Sequence, residues 1–162
     1  MFISKKHNSD LYNKLLFLSR NIFFYKELSL KDTFETRVYL MFFHYSIILI
    51  IFKSKNYPKD QENYNNLFFC IENNLRELGF GDVSVNKKMK DLNKLFYDIL
   101  IKLNPDKTNF SVNKELVIKY FENLGKNDKK LKKLMLYFEK FYKFCFEITP
   151  KHMIEDIDKF KY

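Results

Sequence analysis

Apolar residues recur along the chain at intervals of three and four, the spacing of one face of an α-helix. The broadest stripe predicts a helix over residues 131–148. Its members are Leu131, Leu134, Phe138, Phe141, Cys145 and Ile148, and Tyr137 and Phe144 widen it. Similar patterns predict helices over residues 10–25, 32–53, 64–78, 85–103 and 116–124, and a short last helix opening at Thr149–Pro150. Because strand alternation is nowhere sustained, the pattern predicts an all-α fold.

The most apolar segment is Val38–Phe52, which reads VYLMFFHYSIILIIF. Asp32 is the predicted N-cap of its helix, with Glu35 as the capping-box partner three residues on. The apolar run is shorter than the roughly 20 residues that cross a bilayer, and it contains His44 and Ser46. We therefore interpret it as a buried central helix and expect no transmembrane segment.

The chain has 162 residues, the size of one domain, and 46% of them are hydrophobic, enough for a substantial core. We find no internal repeat and no long low-complexity tract. The prediction is a single domain over residues 1–162, an all-α bundle of six or seven helices around the central apolar helix.

The formal net charge is +9, which suggests nucleic acid, an anionic membrane or an acidic partner. The many lysines and phenylalanines are also typical of an AT-rich genome, so the charge only partly reflects function. Lysines and aromatics interleave in KKLMLYFEKFYKF, but the periodicity directs the aromatics inward, away from bases. An RNA- or ribosome-binding helical domain therefore stays an alternative, as does a lipid or hydrophobic-ligand carrier that uses the wide aromatic face.

Catalytic and metal-binding motifs are not found in the sequence. The three histidines, His7, His44 and His152, are scattered. We expect His44 to be a core histidine hydrogen-bonded to a neighbour, and His152 with Glu155 to be a solvated surface pair. The sequence therefore predicts a protein that is not an enzyme and has no cofactor, no metal and no catalytic residue.

Two glycines lie close together in LRELGFGDVSVNKKMK, residues Leu75–Lys90. The spacing of a phosphate-binding loop is missing, and a helix rather than a strand precedes the glycines. We therefore expect Gly79 to end one helix in a left-handed conformation and Ser84 to cap the next. The residues that we expect to shape this turn or the start of the central helix are Arg37, Glu77, Gly79, Gly81, Asp82 and Ser84.

Three lysines follow the turn. Lys87 and Lys88 are predicted to lie in the first turn of the next helix, where a cation costs roughly 0.3–1 kcal/mol. Such a cost favours a role in binding, so Arg76, Lys87, Lys88 and Lys90 are the predicted partner-binding residues. They suit an acidic partner segment, lipid headgroups or ribosomal RNA. The alternative is that these lysines are simply solvated.

Four segments resemble, in order, the ubiquinol–cytochrome c chaperone family: Leu11–Tyr12, Ser19–Arg37, His44 and Asn74–Lys90. The corresponding family text contains D-T-x-x-G-R and L-R-E-M-G-V-G-D-L-S-V-x-K-x-M-K. The likeness extends over residues 11–102. Two positions depart from the family pattern, because Thr36 and Asp98 stand where the family has glycine.

The resemblance implies an all-helical protein that assists biogenesis of cytochrome b, a subunit of ubiquinol–cytochrome c reductase. It also implies a small helical partner protein and contact with the ribosome. Because no leader is visible in the sequence, we expect a bacterial protein, cytoplasmic and peripheral at the inner membrane, or on the matrix side if eukaryotic. Cys70 and Cys145 lack metal-binding or redox spacing, so we expect buried thiols in a reducing compartment.

Overall fold

The computed structural model describes residues 10–125 and 127–162, which are mostly helical and contain no strand. Within these residues, seven α-helices have seven or more residues, and one short helix has five. They are α1 Asp10–Ser19, α2 Ile22–Lys26, α3 Phe34–Ser54, α4 Gln61–Glu77, α5 Asp82–Lys102, α6 Lys114–Tyr120, α7 Asp128–Phe146 and α8 Pro150–Asp156, with 3₁₀ turns at Glu122–Leu124 and Ile157–Lys159. The predicted all-α bundle is confirmed.

The helix predicted over residues 10–25 is two helices. α1 ends at Ser19, and Asn21 caps α2 by accepting a 3.0 Å hydrogen bond from the Phe23 amide. The Tyr25 hydroxyl donates to the Ser19 carbonyl oxygen across the break, at 2.7 Å. A single helix was the wrong prediction, because the asparagine side chain satisfies a backbone donor that a continuous helix would satisfy itself.

Helix α3 is the centre of the bundle and packs against α1, α5 and α7. It has 21 residues, Phe34–Ser54, close to the helix predicted over residues 32–53. By length and composition α3 could cross a membrane, but 67% of its apolar stretch is buried inside the bundle. The predicted central buried helix is thus confirmed. The evidence for it is its burial in the bundle, and its length alone would not have distinguished it from a membrane-spanning helix.

The N-terminus of α3 is capped by Thr33, whose hydroxyl accepts a 3.2 Å hydrogen bond from the Thr36 amide. The prediction that Asp32 caps this helix was wrong. Asp32 instead accepts a 2.6 Å hydrogen bond from Arg37, one turn into the helix. Arg37 therefore does the structural work that we expected of it near the start of the helix.

Helix α7 buries the predicted stripe against α3. Leu131, Leu134, Tyr137, Phe138, Phe141 and Cys145 are all buried. Cys70 and Cys145 form no disulfide, and both thiols are buried as predicted. The last helix begins at Pro150 with Thr149 as its N-cap, also as predicted. The aromatic face of α7 is therefore filled by the protein's own core.

Candidate functional site

The turn between α4 and α5 closes α4 with a Schellman motif. The Gly79 amide donates to the Arg76 carbonyl oxygen at 3.0 Å, and the Phe80 amide donates to the Leu75 carbonyl oxygen at 3.3 Å. Gly79 has a φ of +97°, the left-handed conformation expected of it. The turn leaves two apolar side chains at the surface, since Leu78 is 58% exposed and Phe80 is 39% exposed.

Helix α5 begins at Asp82, three residues before the start predicted from a cap at Ser84. Gly81 is the N-cap in an extended conformation and, having no side chain, makes no side-chain cap bond. Ser84 is an exposed residue of the first turn, so its predicted capping role was wrong. Asp82 at the first helical position places a negative charge at the positive end of the helix dipole, which favours this earlier start.

The Arg76 guanidinium forms an ion pair with Asp82 across the turn. The pair joins the end of α4 to the start of α5, as we expected for one of the acidic residues here. Glu77 is exposed and forms no ion pair within residues 10–125 and 127–162. Arg76 therefore has a partner within the chain, and Glu77 projects into solvent at the turn.

The three lysines lie beyond the first turn of α5, because the helix starts earlier than predicted. Lys87 is its sixth residue and Lys88 its seventh. The helix dipole acts mainly within the first turn, so the predicted dipole cost does not apply to them. Lys87 and Lys90 are three residues apart and exposed, whereas Lys88 is half-buried with its ammonium 4.6 Å from the centroid of the Phe80 ring.

An apolar groove of about 470 Å³ lies beside this turn. Its walls come from the start of α3, the end of α4 and the middle of α5. The apolar lining residues are Phe34, Tyr39, Leu75, Leu78, Phe80, Leu92 and Leu95, and the charged ones are Glu35, Lys88 and Asp91. Of the four predicted partner-binding residues, only Lys88 lines this groove.

Phe34 and Tyr39 were not among the predicted site residues. Both are half-buried, packed against the core but open to the groove. Phe34 lies directly after the Asp32–Thr33 sequence that resembles the family motif. A large apolar residue in this short polar stretch was the one sequence signal that could have indicated a site residue here. Proximity of this stretch to the glycine turn, more than 40 positions later, could not be read from the sequence.

The wall of the groove that contains Tyr39 is supported from behind by α6. The Tyr39 and Tyr120 rings pack edge to face at 5.3 Å, and the Tyr120 hydroxyl donates to Asp98 at 2.5 Å. Lys102 and Lys119 also pair with Asp98, at 2.7 and 2.8 Å. Burial opposes ionisation of Asp98, but these hydrogen bonds outweigh it and hold its pKa well below the usual range.

His44 is buried in the core and is distant in sequence from the turn that lines the groove. Its Nδ1 lies 2.6 Å from the Leu40 carbonyl oxygen, so Nδ1 carries the proton and Nε2 accepts a 2.8 Å hydrogen bond from the Tyr137 hydroxyl. Burial lowers the pKa of His44 to about 4. The prediction of a core histidine bonded to a neighbour is confirmed.

The remaining candidates for chemistry do not form a site. His152 and Glu155 are an exposed pair 3.6 Å apart, as expected, and His7 lies outside the described residues. Among the residues that the structure describes, no three histidine, cysteine, aspartate or glutamate side chains converge on a point that could hold a metal ion. The groove beside the turn is therefore the candidate functional site, and what it can do is bind apolar side chains.

A comparison with protein families matches residues 26–106 to the model described as Ubiquinol-cytochrome C chaperone. No curated protein and no solved structure matches the chain significantly. The matched segment contains the glycine turn, the Arg76–Asp82 pair and every residue that lines the groove. Helices α6, α7 and α8 lie beyond it.

Proposed function

Because this chain belongs to the ubiquinol–cytochrome c chaperone family, we propose that it holds unassembled cytochrome b while ubiquinol–cytochrome c reductase is built, and that it catalyses no reaction. Membership of this family supports ubiquinol–cytochrome c reductase as the complex whose assembly the protein assists. The groove supports the binding of an apolar client. The observation that carries the proposal is that the groove and the family match coincide in one segment of the chain.

The groove suits the side of an apolar helix rather than a small ligand. Its volume admits a few side chains, and exposed Leu78 and Phe80 extend its apolar surface outward. An amphipathic or apolar helix docks by inserting residues at positions i, i+3 or i+4, and i+7. Cytochrome b is a membrane subunit that presents such helices before assembly. Binding through a shallow groove leaves the client able to pass to the next step.

The exposed lysines of α5 are proposed to contact a second partner. Lys87 and Lys90 project from the same side of the helix and suit acidic groups of a small helical protein or of the ribosome. Lys88 and Arg76 have a contact within the chain, with Phe80 and Asp82. We therefore assign Lys87 and Lys90 the larger share of partner binding, and Lys88 the edge of the client groove.

The proposed client also implies where in the cell the protein acts. A chaperone of cytochrome b works where that subunit enters its membrane, which is the cytoplasmic side of a bacterial inner membrane or the matrix side in a mitochondrion. The protein would be peripheral there, because its most apolar helix is largely occupied by the core.

Site-specific crosslinking tests the proposal. A photo-crosslinking amino acid in place of Leu78 should yield an adduct with cytochrome b in cells that are assembling the reductase. The same amino acid in place of Ile101 is the matched control, since Ile101 is 74% exposed on α5 but outside the groove. Deletion of the gene should lower the cytochrome b haem signal and reductase activity of membranes. Normal haem and activity after deletion, or an adduct with lipid alone at position 78, would contradict the proposal.

A further inference from the structure

Helix α7 has an outward face that neither the core nor the groove uses. Among residues 129–146, seven are exposed: five are lysines, two are apolar and none is acidic. The lysines are Lys129, Lys132, Lys133, Lys140 and Lys143. The apolar residues are Leu136, 43% exposed, and Phe146, 41% exposed. We call these seven residues the lysine face.

The lysine face is a compact stripe rather than a scatter of charges. At about 100° per residue, the five lysines fall within an arc of roughly 100° around α7. Leu136 lies near the middle of this arc, and the stripe extends over about 25 Å of helix. A flat row of cations around a central leucine is therefore presented to solvent.

The lysine face has no ion-pair partner among the side chains that the structure describes. None of its five lysines is in an ion pair with any of those side chains. The Lys140 ammonium lies 5.2 Å from the Tyr162 ring centroid, a contact that leaves its positive charge in place. Glu139 is only half-exposed, and Glu147 lies beyond the helix end. The face therefore offers its positive charge to a negatively charged surface.

A nucleic acid and a lipid bilayer are two surfaces of this kind. Binding of single-stranded RNA uses aromatic rings that are free to stack on bases. The Phe146 ring is not free, because the Lys55 ammonium lies 4.4 Å from its centroid and the Tyr142 ring stacks on it at 5.7 Å. Tyr142 is in turn stacked on Phe110. Leu136 has no aromatic ring to stack on a base, whereas an apolar side chain among lysines is typical of helices that lie on membranes.

We propose that the lysine face docks on the anionic headgroups of a lipid bilayer, with its lysines at the phosphates and Leu136 inserted between the headgroups. The charge and exposure of α7 alone support this binding, which does not depend on the cytochrome b client. Binding of this kind is electrostatic in its approach and weakens with added salt.

Vesicle sedimentation tests the proposal with the full-length protein and lipid alone. Vesicles of phosphatidylcholine containing phosphatidylglycerol should bind the protein at low salt, and pure phosphatidylcholine vesicles should bind it weakly. The Lys132→Glu/Lys133→Glu variant should lose about tenfold or more in partitioning. The matched control is Lys94→Glu/Lys114→Glu, which changes the net charge equally at two exposed lysines outside the lysine face and the groove and should lose little.

The apolar contribution has its own pair of variants. Leu136→Asp should weaken vesicle binding, and Ile101→Asp, which is more exposed but lies on α5, should leave it near wild type. If Lys132→Glu/Lys133→Glu does not fold, Lys140→Glu/Lys143→Glu removes charge from the same face. Equal losses in the control variants and the α7 variants, or no preference for anionic vesicles, would overturn the proposal. Tight binding of a single-stranded RNA that depends on Lys132 and Lys133, without vesicle binding, would overturn it in favour of RNA.

Discussion

The Lys88 ammonium lies 4.6 Å from the centroid of the Phe80 ring, across the turn that joins α4 to α5. A cation–π contact at a partly exposed site contributes about 0.5–1 kcal/mol. Both residues line the groove, so the contact fixes the position of one groove wall. It also explains why Lys88 differs from Lys87 and Lys90, which project into solvent.

The Gly79 conformation should be required for the stability of this turn. Gly79→Ala should lower the free energy of unfolding by about 1–2 kcal/mol, because a φ of +97° strains any residue with a Cβ. Nothing lies within 4 Å of the added Cβ, so the cost is purely conformational. Gly81→Ala is the control, expected within about 0.5 kcal/mol of wild type because its φ is negative. Urea unfolding measures both, and equal losses would contradict the assignment.

Leu78 should matter for function more than for stability. Leu78→Glu should leave the urea unfolding midpoint nearly unchanged, since the side chain is largely exposed, while lowering the cytochrome b haem signal in membranes. A charge at this position faces an apolar groove and disfavours an apolar client. Ile101→Glu, a change of the same kind outside the groove, should keep a normal haem signal. A normal signal in the Leu78 variant would remove the groove from the client site.

Lys87 and Lys88 should respond differently to charge reversal. Lys87→Glu should change the free energy of unfolding by less than about 0.5 kcal/mol, because the residue is exposed and beyond the first helical turn. Lys88→Glu should destabilise by about 1 kcal/mol more, through loss of the contact with Phe80 and repulsion from Asp91. Thermal and urea unfolding measure the difference. A clear gain in stability from Lys87→Glu would show that the helix dipole reaches this position after all.

His44 should make stability depend on pH. Its pKa of about 4 in the folded protein lies below its ordinary value of 6.5, so between these values the unfolded chain binds the extra proton. Stability from this group is present above pH 6.5 and is lost as pH falls towards 4, by about 2 kcal/mol between pH 7 and pH 5.

The matched variants for this effect are His44→Gln and His152→Gln. The first should reduce the difference in unfolding free energy between pH 7 and pH 5 by about 2 kcal/mol, although it will also be less stable at pH 7. The second should leave the difference unchanged, since His152 is an exposed side chain. If His44→Gln keeps the wild-type difference, protonation of His44 is not its source.

The fold was largely predictable because the apolar periodicity of this chain is strong. The stripe of α7 and the central helix were located from spacing alone, and both are buried as predicted. The errors lie at helix ends, where one hydrogen bond decides the boundary. Asn21 breaks a helix whose apolar pattern continues through it, and Thr33 rather than Asp32 satisfies the first amides of α3. Two neighbouring capping residues look equivalent in sequence.

The site was only half predictable. The glycine turn was predictable because a helix that ends in a left-handed residue favours glycine there, and Gly79 has this positive φ. Such a preference depends only on neighbouring residues in the sequence. The groove was not found, because it exists only where Phe34 and Tyr39 of α3 meet Leu78 and Phe80. This is a long-range contact that a periodic pattern cannot report. The lysines were identified by charge, but α5 starts three residues earlier than predicted, so Lys87 and Lys88 lie beyond its first turn.

The helix that forms one wall of the groove is also the helix on which the whole bundle is built. Phe34 and Tyr39 belong to α3, and ten residues after Phe34 the same helix is fastened to α7 through the His44–Tyr137 hydrogen bond. That wall cannot swing aside without disrupting the interior, so it keeps its position whether or not the groove is occupied. Movement of this wall therefore cannot eject the cargo. We therefore expect handover by competition, in which an incoming subunit covers the same apolar side chains of the cargo and the chaperone is displaced.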